Sequence, residues 1–309
     1  CTPSRASVIT GRYPSQHGAW ALGTKLPESA HTIGDDFRAN GYTSGLIGKA
    51  HFEHGKLIPG EPSLEAPPEE LTKEYLDFWR GFHGPYYGFD RVELHRFHAA
   101  RAVSQHYAVW LEENGLEDWV GYFTQGKRDR KGPPGQRHDG TWAIPERYHY
   151  DAWIAERVDA ALERHESNDE SFFVWASFQD PHPPYMVPEP WDTMYDPAKV
   201  TLPTVTEGEH KKNPPHFAMT QDPDADFSWY RDEPGANFAH GMHPQLVDPH
   251  QMRKNIAVYY GMISLMDEYI GRILDSLERH GFAEDTIVVF TTDHGHFLGQ
   301  HGLTAKGPF

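Results

Sequence analysis

Phe172-Phe173-Val174-Trp175-Ala176-Ser177-Phe178 runs almost at once into Asp180-Pro181-His182-Pro183-Pro184-Tyr185. A near-continuous apolar run of this length is the mark of a strand covered on both faces, as in a parallel sheet. Tyr42 to Gly48 (YTSGLIG) reads as a second strand, leading into Lys49-Ala50-His51. Thr286 to Thr291 (TIVVFT) reads as a third, buried strand, leading into Thr292-Asp293-His294-Gly295. Between and around them the pattern turns helical. Residues 2–10 carry Pro3 near their start and Gly11 as a stop, and Thr32 to Asn40 has Thr32 as an N-cap and Gly41 as its end. His95 to Asn114 reads as a helix. So does Tyr148 to His165, with Trp153, Ile154, Val158, Ala161 and Leu162 at helical spacing. Gln251 to His280 is a long helix with Ile256, Tyr259, Tyr260, Ile263, Met266, Ile270, Ile273 and Leu277 along one face. Gly121 to Gly140 is a loop by composition. Strands alternating with helices predict an α/β fold, a largely parallel central sheet flanked by helices, in one domain over 1–309.

Composition narrows the function. The chain has 309 residues, with 28 Lys and Arg against 45 Asp and Glu, a net charge of −17. That balance argues against a nucleic-acid backbone as partner, because phosphate binding needs clustered cations. No uncharged apolar run approaches the ~20 residues of a membrane span. A single cysteine excludes an intrachain disulfide framework, and it stands at residue 1.

The three predicted strands end in Lys49/His51, Asp180/His182 and Asp293/His294. In open α/β sheets, ligands bind outside the carboxyl ends of the strands. Parallel neighbours would bring all three clusters to one edge, supplying cations, proton-carrying imidazoles and a carboxylate able to hold a metal. That set suits attack on an anionic ester. Cys1 begins a predicted helix, where the dipole favours an anion and activates a thiolate. Arg5 lies one turn along and is placed to fix an oxyanion. Asp180 reads as a turn or cap residue. His210, His216, His240, His243 and His250 lie in an irregular region and read as surface residues. Tyr86, Tyr87, Trp119, Tyr122 and Trp142 are candidates for stacking on sugar rings.

Taken together these residues resemble a known family. Cys1-Thr2-Pro3-Ser4-Arg5-Ala6-Ser7, followed by Thr10-Gly11-Arg12, resembles the C-x-P-S-R motif of type I, formylglycine-dependent sulfatases of the alkaline phosphatase superfamily. Gly48-Lys49-Ala50-His51 resembles the family's G-K-x-H segment, and Pro181-His182-Pro183-Pro184-Tyr185 its P-H-x-P-[YF] segment. Asp293-His294-Gly295, Gly299-x-His301-Gly302 and Lys306-Gly307 resemble its late metal- and sulfate-binding region. The motifs keep the family's order from residue 1 to residue 306.

The resemblance implies hydrolysis of an organic sulfate ester, with a sulfated small molecule or carbohydrate as substrate. Cys1 would be converted to formylglycine by a maturation enzyme, and its hydrate would be the nucleophile. Arg5 and Lys49 would hold that residue, His51 would take a proton, and His182 and Lys306 would bind the sulfate. Asp293 would be metal ligand and base, and His294 a second ligand, with Ca²⁺ expected because it favours oxygen donors. The family's other two metal ligands form an Asp-Asp pair on a strand upstream of the cysteine, and a small C-terminal subdomain follows its catalytic domain. On that comparison the chain is a partial catalytic domain, expected to be inactive alone and to bind Ca²⁺ weakly. A phosphonate monoester or phosphodiester hydrolase of the same superfamily, and a non-catalytic sulfate-binding relative, are the alternatives.

Overall fold

A computed structural model describes residues 2–55, 58, 60–123, 139–231 and 241–307. In chain order its regular elements are α1 (Thr2–Thr10), α2 (Pro14–His17), α3 (Ile33–Ala39), β1 (Thr43–Gly48), α4 (Lys73–Gly81), β2 (Arg91–Leu94) and α5 (Gln105–Glu113). There follow β3 (Asp139–Thr141), α6 (Tyr150–Asn168), β4 (Phe172–Ser177), β5 (Tyr185–Val187), α7 (Pro215–Met219), α8 (Pro249–Arg279), β6 (Phe297–Leu298) and β7 (Thr304–Ala305). Strands β2, β1 and β4 form a parallel sheet in that order. Gly48 pairs with Leu94 on one side and with Ser177 on the other. All three strands therefore end at one level, and the residues that follow them meet along one rim.

The sheet is held by side chains predicted to be core. Leu46, Val92 and Leu94 pack with Trp153, Ile154, Val158 and Leu162 of α6 in one apolar cluster. α8 packs against α6 and builds a second cluster with β5 from Val187, Ile256, Met262, Leu265 and Tyr269. The buried stripe of α8 differs from the predicted one: Ile256 and Leu277 are inside, whereas Tyr260 and Ile263 face outward. Apolar residues line more than one face of this helix, and the contact with α6 and β5 selects among them.

Helices over 2–10, 32–40 and 148–165 match expectation within a few residues. The predicted helix over 95–114 shrinks to one 3-10 turn, Ala99–Arg101, and α5. Ala99 (φ 42°) and Gln105 (φ 60°) take left-handed backbone, which no continuous α-helix tolerates. Of the predicted loop at 121–140, residues 124–138 lie outside the described residues.

The third predicted strand is a correction. Residues 286–291 pair with no strand among the described residues and face outward, with Ile287 90% and Phe290 78% exposed. β4 is accordingly half-buried rather than covered on both faces. An apolar run becomes a strand only where a neighbour supplies its ladder, and none of the described strands stands beside it.

Candidate active site

Arg5, on α1, ties the rim together. Its Nε donates to the Ala50 carbonyl at 2.8 Å, and its Nη2 donates to the Lys49 carbonyl and to Ser177 Oγ. Nη1 lies 3.4 Å from Asp293 Oδ2, and the guanidinium sits over the Trp175 ring. One buried side chain thus joins α1, the turn after β1, the end of β4 and the carboxylate at 293. Ser177 Oγ donates in turn to the Lys49 carbonyl at 2.7 Å.

Gly48 makes the turn into Lys49. Its φ of 105° lies in the left-handed region, and a Cβ there would stand 2.1 Å from the Ser177 carbonyl oxygen. Only glycine closes β1 against β4 at this point. Lys49 and His51 follow, both buried, with His51 itself at φ 65°.

The electrostatics are those of a crowded cationic pocket. Burial pushes the Lys49 ammonium well down, and Arg5 and Lys306 push it further. Lys306 falls to about 8, chiefly through burial, and its Nζ is buried with no hydrogen-bond partner. Burial, Lys306 and Lys49 depress His182. Burial favours the neutral Asp293 acid, but the positive charges around it, Arg5 and Lys49 among them, prevail and keep it ionised. Such a pocket repels its own protons while empty and regains them when an anion enters.

The imidazoles are fixed by their backbone partners. His182 Nδ1 donates to the Pro183 carbonyl at 2.6 Å, which leaves Nε2 as the nitrogen that can meet a ligand. His294 Nδ1 donates to the Gly295 carbonyl at 2.8 Å, and its Nε2 lies 3.4 Å from Asp293 Oδ1. Burial lowers His294 to about 4, so the ring is neutral near pH 7. An ionised carboxylate beside a neutral imidazole is a donor set that fits a divalent cation as two adjacent ligands.

A second group, His149, Asp151 and Asp180, is fully buried with its ligand atoms within 4.8 Å of one another. His149 Nδ1 accepts the Asp151 backbone N–H at 3.2 Å, which puts its proton on Nε2 and directs no lone pair at the two carboxylates. Asp180 takes the Tyr150 hydroxyl proton in a hydrogen bond and is still raised to about 8 by burial. Asp151 is raised well above the carboxylate range by burial and by Asp180. This group holds protons; it caps α6 and anchors the turn before His182. Asp180 is therefore more than the turn residue its sequence position suggests.

The sequence-read residues Arg5, Lys49, His51, His182, Asp293, His294 and Lys306 share one electrostatic neighbourhood, as their mutual shifts record. Cys1 lies outside the described residues. Arg96 and His98, in the turn after β2, belong to the same pocket and were not read from sequence. Their signal was the one used elsewhere, a strand running into a polar cluster. The strand Arg91-Val92-Glu93-Leu94 lacks an apolar run and hid it. The aromatic candidates are corrected: Tyr86, Tyr87 and Trp142 are buried, and Tyr86 and Tyr87 hydrogen-bond to Glu65, Glu53 and the Leu26 carbonyl. Trp119 and Tyr122 pack against the same core. Of the five histidines, His210 is buried and faces the His301 carbonyl at 2.7 Å, a structural contact; His240 lies outside the described residues.

A model of the Sulfatase family matches residues 1–308. The chain belongs to the sulfatase family of the alkaline phosphatase superfamily. Among curated relatives, this sulfatase-family chain is 26% identical over 314 residues to the multifunctional alkaline phosphatase superfamily protein PehA of Trinickia caryophylli, covering 99% of the chain and 55% of the relative. It is 25% identical to the choline-sulfatase of Rhizobium meliloti (100% and 51% covered) and 25% identical to human iduronate 2-sulfatase (99% and 48%). The chain spans about half the length of the curated relatives it matches. Its fold superposes on the phosphonate monoester hydrolase SpPMH from Silicibacter pomeroyi with a TM-score of 0.68 at 24% identity, covering 98% of this chain and 55% of that one.

Proposed function

We propose that this chain carries the hydrolytic centre of a sulfate ester hydrolase acting on a sulfated small molecule or carbohydrate. The observation that carries the reading is the convergence of buried Arg5 and Lys49 and the buried Nζ of Lys306 with an ionised Asp293 at the rim where α1 begins. A monoanionic ester entering that pocket offsets charges the protein cannot neutralise alone. Choline-sulfatase and iduronate 2-sulfatase are relatives whose names fit this substrate class.

In this reading Cys1, converted to formylglycine by a maturation enzyme, supplies the nucleophile. Asp293 and His294 would hold the metal, Ca²⁺ by the carboxylate's preference for a hard cation, and that ion supplies charge neutralisation on an ester oxygen. Arg5 holds the Asp293 carboxylate in place and keeps it ionised, which suits a ligand better than a strong base. Lys49 and Lys306 bind the non-bridging oxygens. His182 gains its proton as the anion binds and delivers it from Nε2 to the departing alcohol oxygen.

A second reading is hydrolysis of phosphonate monoesters or phosphodiesters within the same superfamily, and a relative named as a multifunctional member of that superfamily is compatible with it. Matched aryl sulfate, aryl phosphonate and aryl phosphodiester substrates, assayed with the full native chain, separate the two. Sulfate turnover above the other two is expected, and the reverse order overturns the reading. Mass spectrometry of the peptide bearing residue 1 is expected to show formylglycine. An unmodified thiol from a maturation-competent host points instead to a non-catalytic sulfate-binding relative.

A further inference from the structure

The turn after β2 reads His95-Arg96-Phe97-His98, and its alternate residues reach the two imidazoles of the pocket. Arg96 Nη2 lies 3.2 Å from His51 Nε2, and the rings of His98 and His182 stack with centroids 3.6 Å apart at 17°. We propose that Arg96 and His98 are positioning residues of the hydrolytic centre, Arg96 fixing the tautomer of His51 and His98 fixing the ring of His182. The proposal rests on the sulfatase reading only where it says that these two imidazoles meet substrate.

The tautomer follows from the donor inventory. A guanidinium can only donate, so His51 Nε2 must present its lone pair to Arg96 and the neutral ring must carry its proton on Nδ1. His51 Nδ1 is buried and has no hydrogen-bond partner. Arg96 is itself anchored: Nη1 donates to the Glu65 carbonyl at 2.9 Å. Its guanidinium lies where a Cβ on residue 55 would fall within 1.7–1.9 Å, so any side chain at Gly55 would push it off this position. With Arg96 docked, neither nitrogen of neutral His51 is open to a proton. His51 therefore enters the reaction as a donor from Nδ1 to a bound oxygen. It can take up a proton only if Arg96 withdraws.

The second contact acts on geometry. His182 spends Nδ1–H on the Pro183 carbonyl, so Nε2 is its working nitrogen, and rotation of the ring would lose that aim. The stacked His98 face blocks such rotation. Two imidazoles at this separation cannot both be cationic, so the pair carries one positive charge at most. The other charges facing His182 are Lys306, Lys49 and Arg101; those facing His51 are Arg96, Lys49 and Arg5.

Nitrogen-15 NMR of the histidine rings in the full native chain tests the first half, with the His51 signal assigned by its loss in His51→Asn. The Nδ1–H tautomer is expected in the wild type and in Arg96→Lys, which keeps a donor, with a switch to Nε2–H in Arg96→Ala. Nε2–H in the wild type, or no switch in a folded Arg96→Ala, overturns it. That readout needs no turnover, so it stands or falls apart from the substrate assignment. For the second half, His98→Ala is expected to lower kcat about tenfold or more with KM nearly unchanged. His98→Phe, which keeps a stacking face, is expected to recover most of the loss. Equal damage in both variants overturns the stacking role.

Discussion

Lys306 shows what a buried ammonium without a partner costs and what it is for. Its ordinary value near 10.5 falls to about 8, chiefly through burial. Below that value the side chain is cationic and ready for an anion; as pH rises through it, the charge is lost. Affinity for inorganic sulfate is therefore expected to hold from pH 6 to about 8 and to fall above it, as titration calorimetry across that range would show. Lys306→Met is expected to weaken sulfate binding sharply and at the same time to raise Tm by about 2–4 °C, because it removes an uncompensated buried charge. A variant that loses binding and stability together would place Lys306 in the scaffold instead.

At the scale of elements, two joints position the rim. Gly48→Ala puts a methyl group against the Ser177 carbonyl and forces a left-handed residue at the end of β1. A loss of about 2–4 kcal/mol is expected in denaturant unfolding. The other joint is the Asp151/Asp180 pair under the His182 turn. Both carboxyls are raised by burial, so the folded state binds protons that the unfolded chain has released. Their contribution is fully present below the ordinary carboxylate range and is lost as pH rises toward 8. Asp151→Asn, neutral at every pH, is expected to stabilise the protein by about 1–3 kcal/mol at pH 8.5 and by little at pH 5. A constant difference between the two pH values would show that the pair shares no proton.

These joints also explain how much was legible. β1, β4 and α6 could be read because their apolar spacing is the spacing that the core demands, and the motifs at 49–51 and 180–182 sit at their ends. β2 hid because four residues with alternating charge carry no apolar run, and the helix assigned over 95–114 concealed the turn that supplies Arg96 and His98. The segment 286–291 failed for the opposite reason. Its composition is that of a strand, but composition cannot show whether a neighbour stands beside it.

For the whole molecule, that segment is an exposed stretch of β-branched and aromatic residues on a chain of net charge −17. Long-range repulsion slows encounter, but a bare Ile-Val-Val-Phe edge is a template for pairing with another chain. The 309-residue chain is expected to self-associate more as salt is added, since salt screens the repulsion and leaves the edge. Val289→Lys is expected to shift light scattering toward the monomer. Unchanged scattering in that variant would locate the contact elsewhere.

The Arg5 to Asp293 contact spans 288 residues of sequence. At roughly 5–20 residues per second of synthesis, residue 293 leaves the ribosome about 15–60 s after residue 5. Through that interval the helix α1 has no Asp293 carboxylate to close on, so it stays open to other proteins of the cell until residue 293 has emerged. The longest-range ion pair of the site thus sets a clock: whatever must reach residue 1 has that window, and a faster message would narrow it.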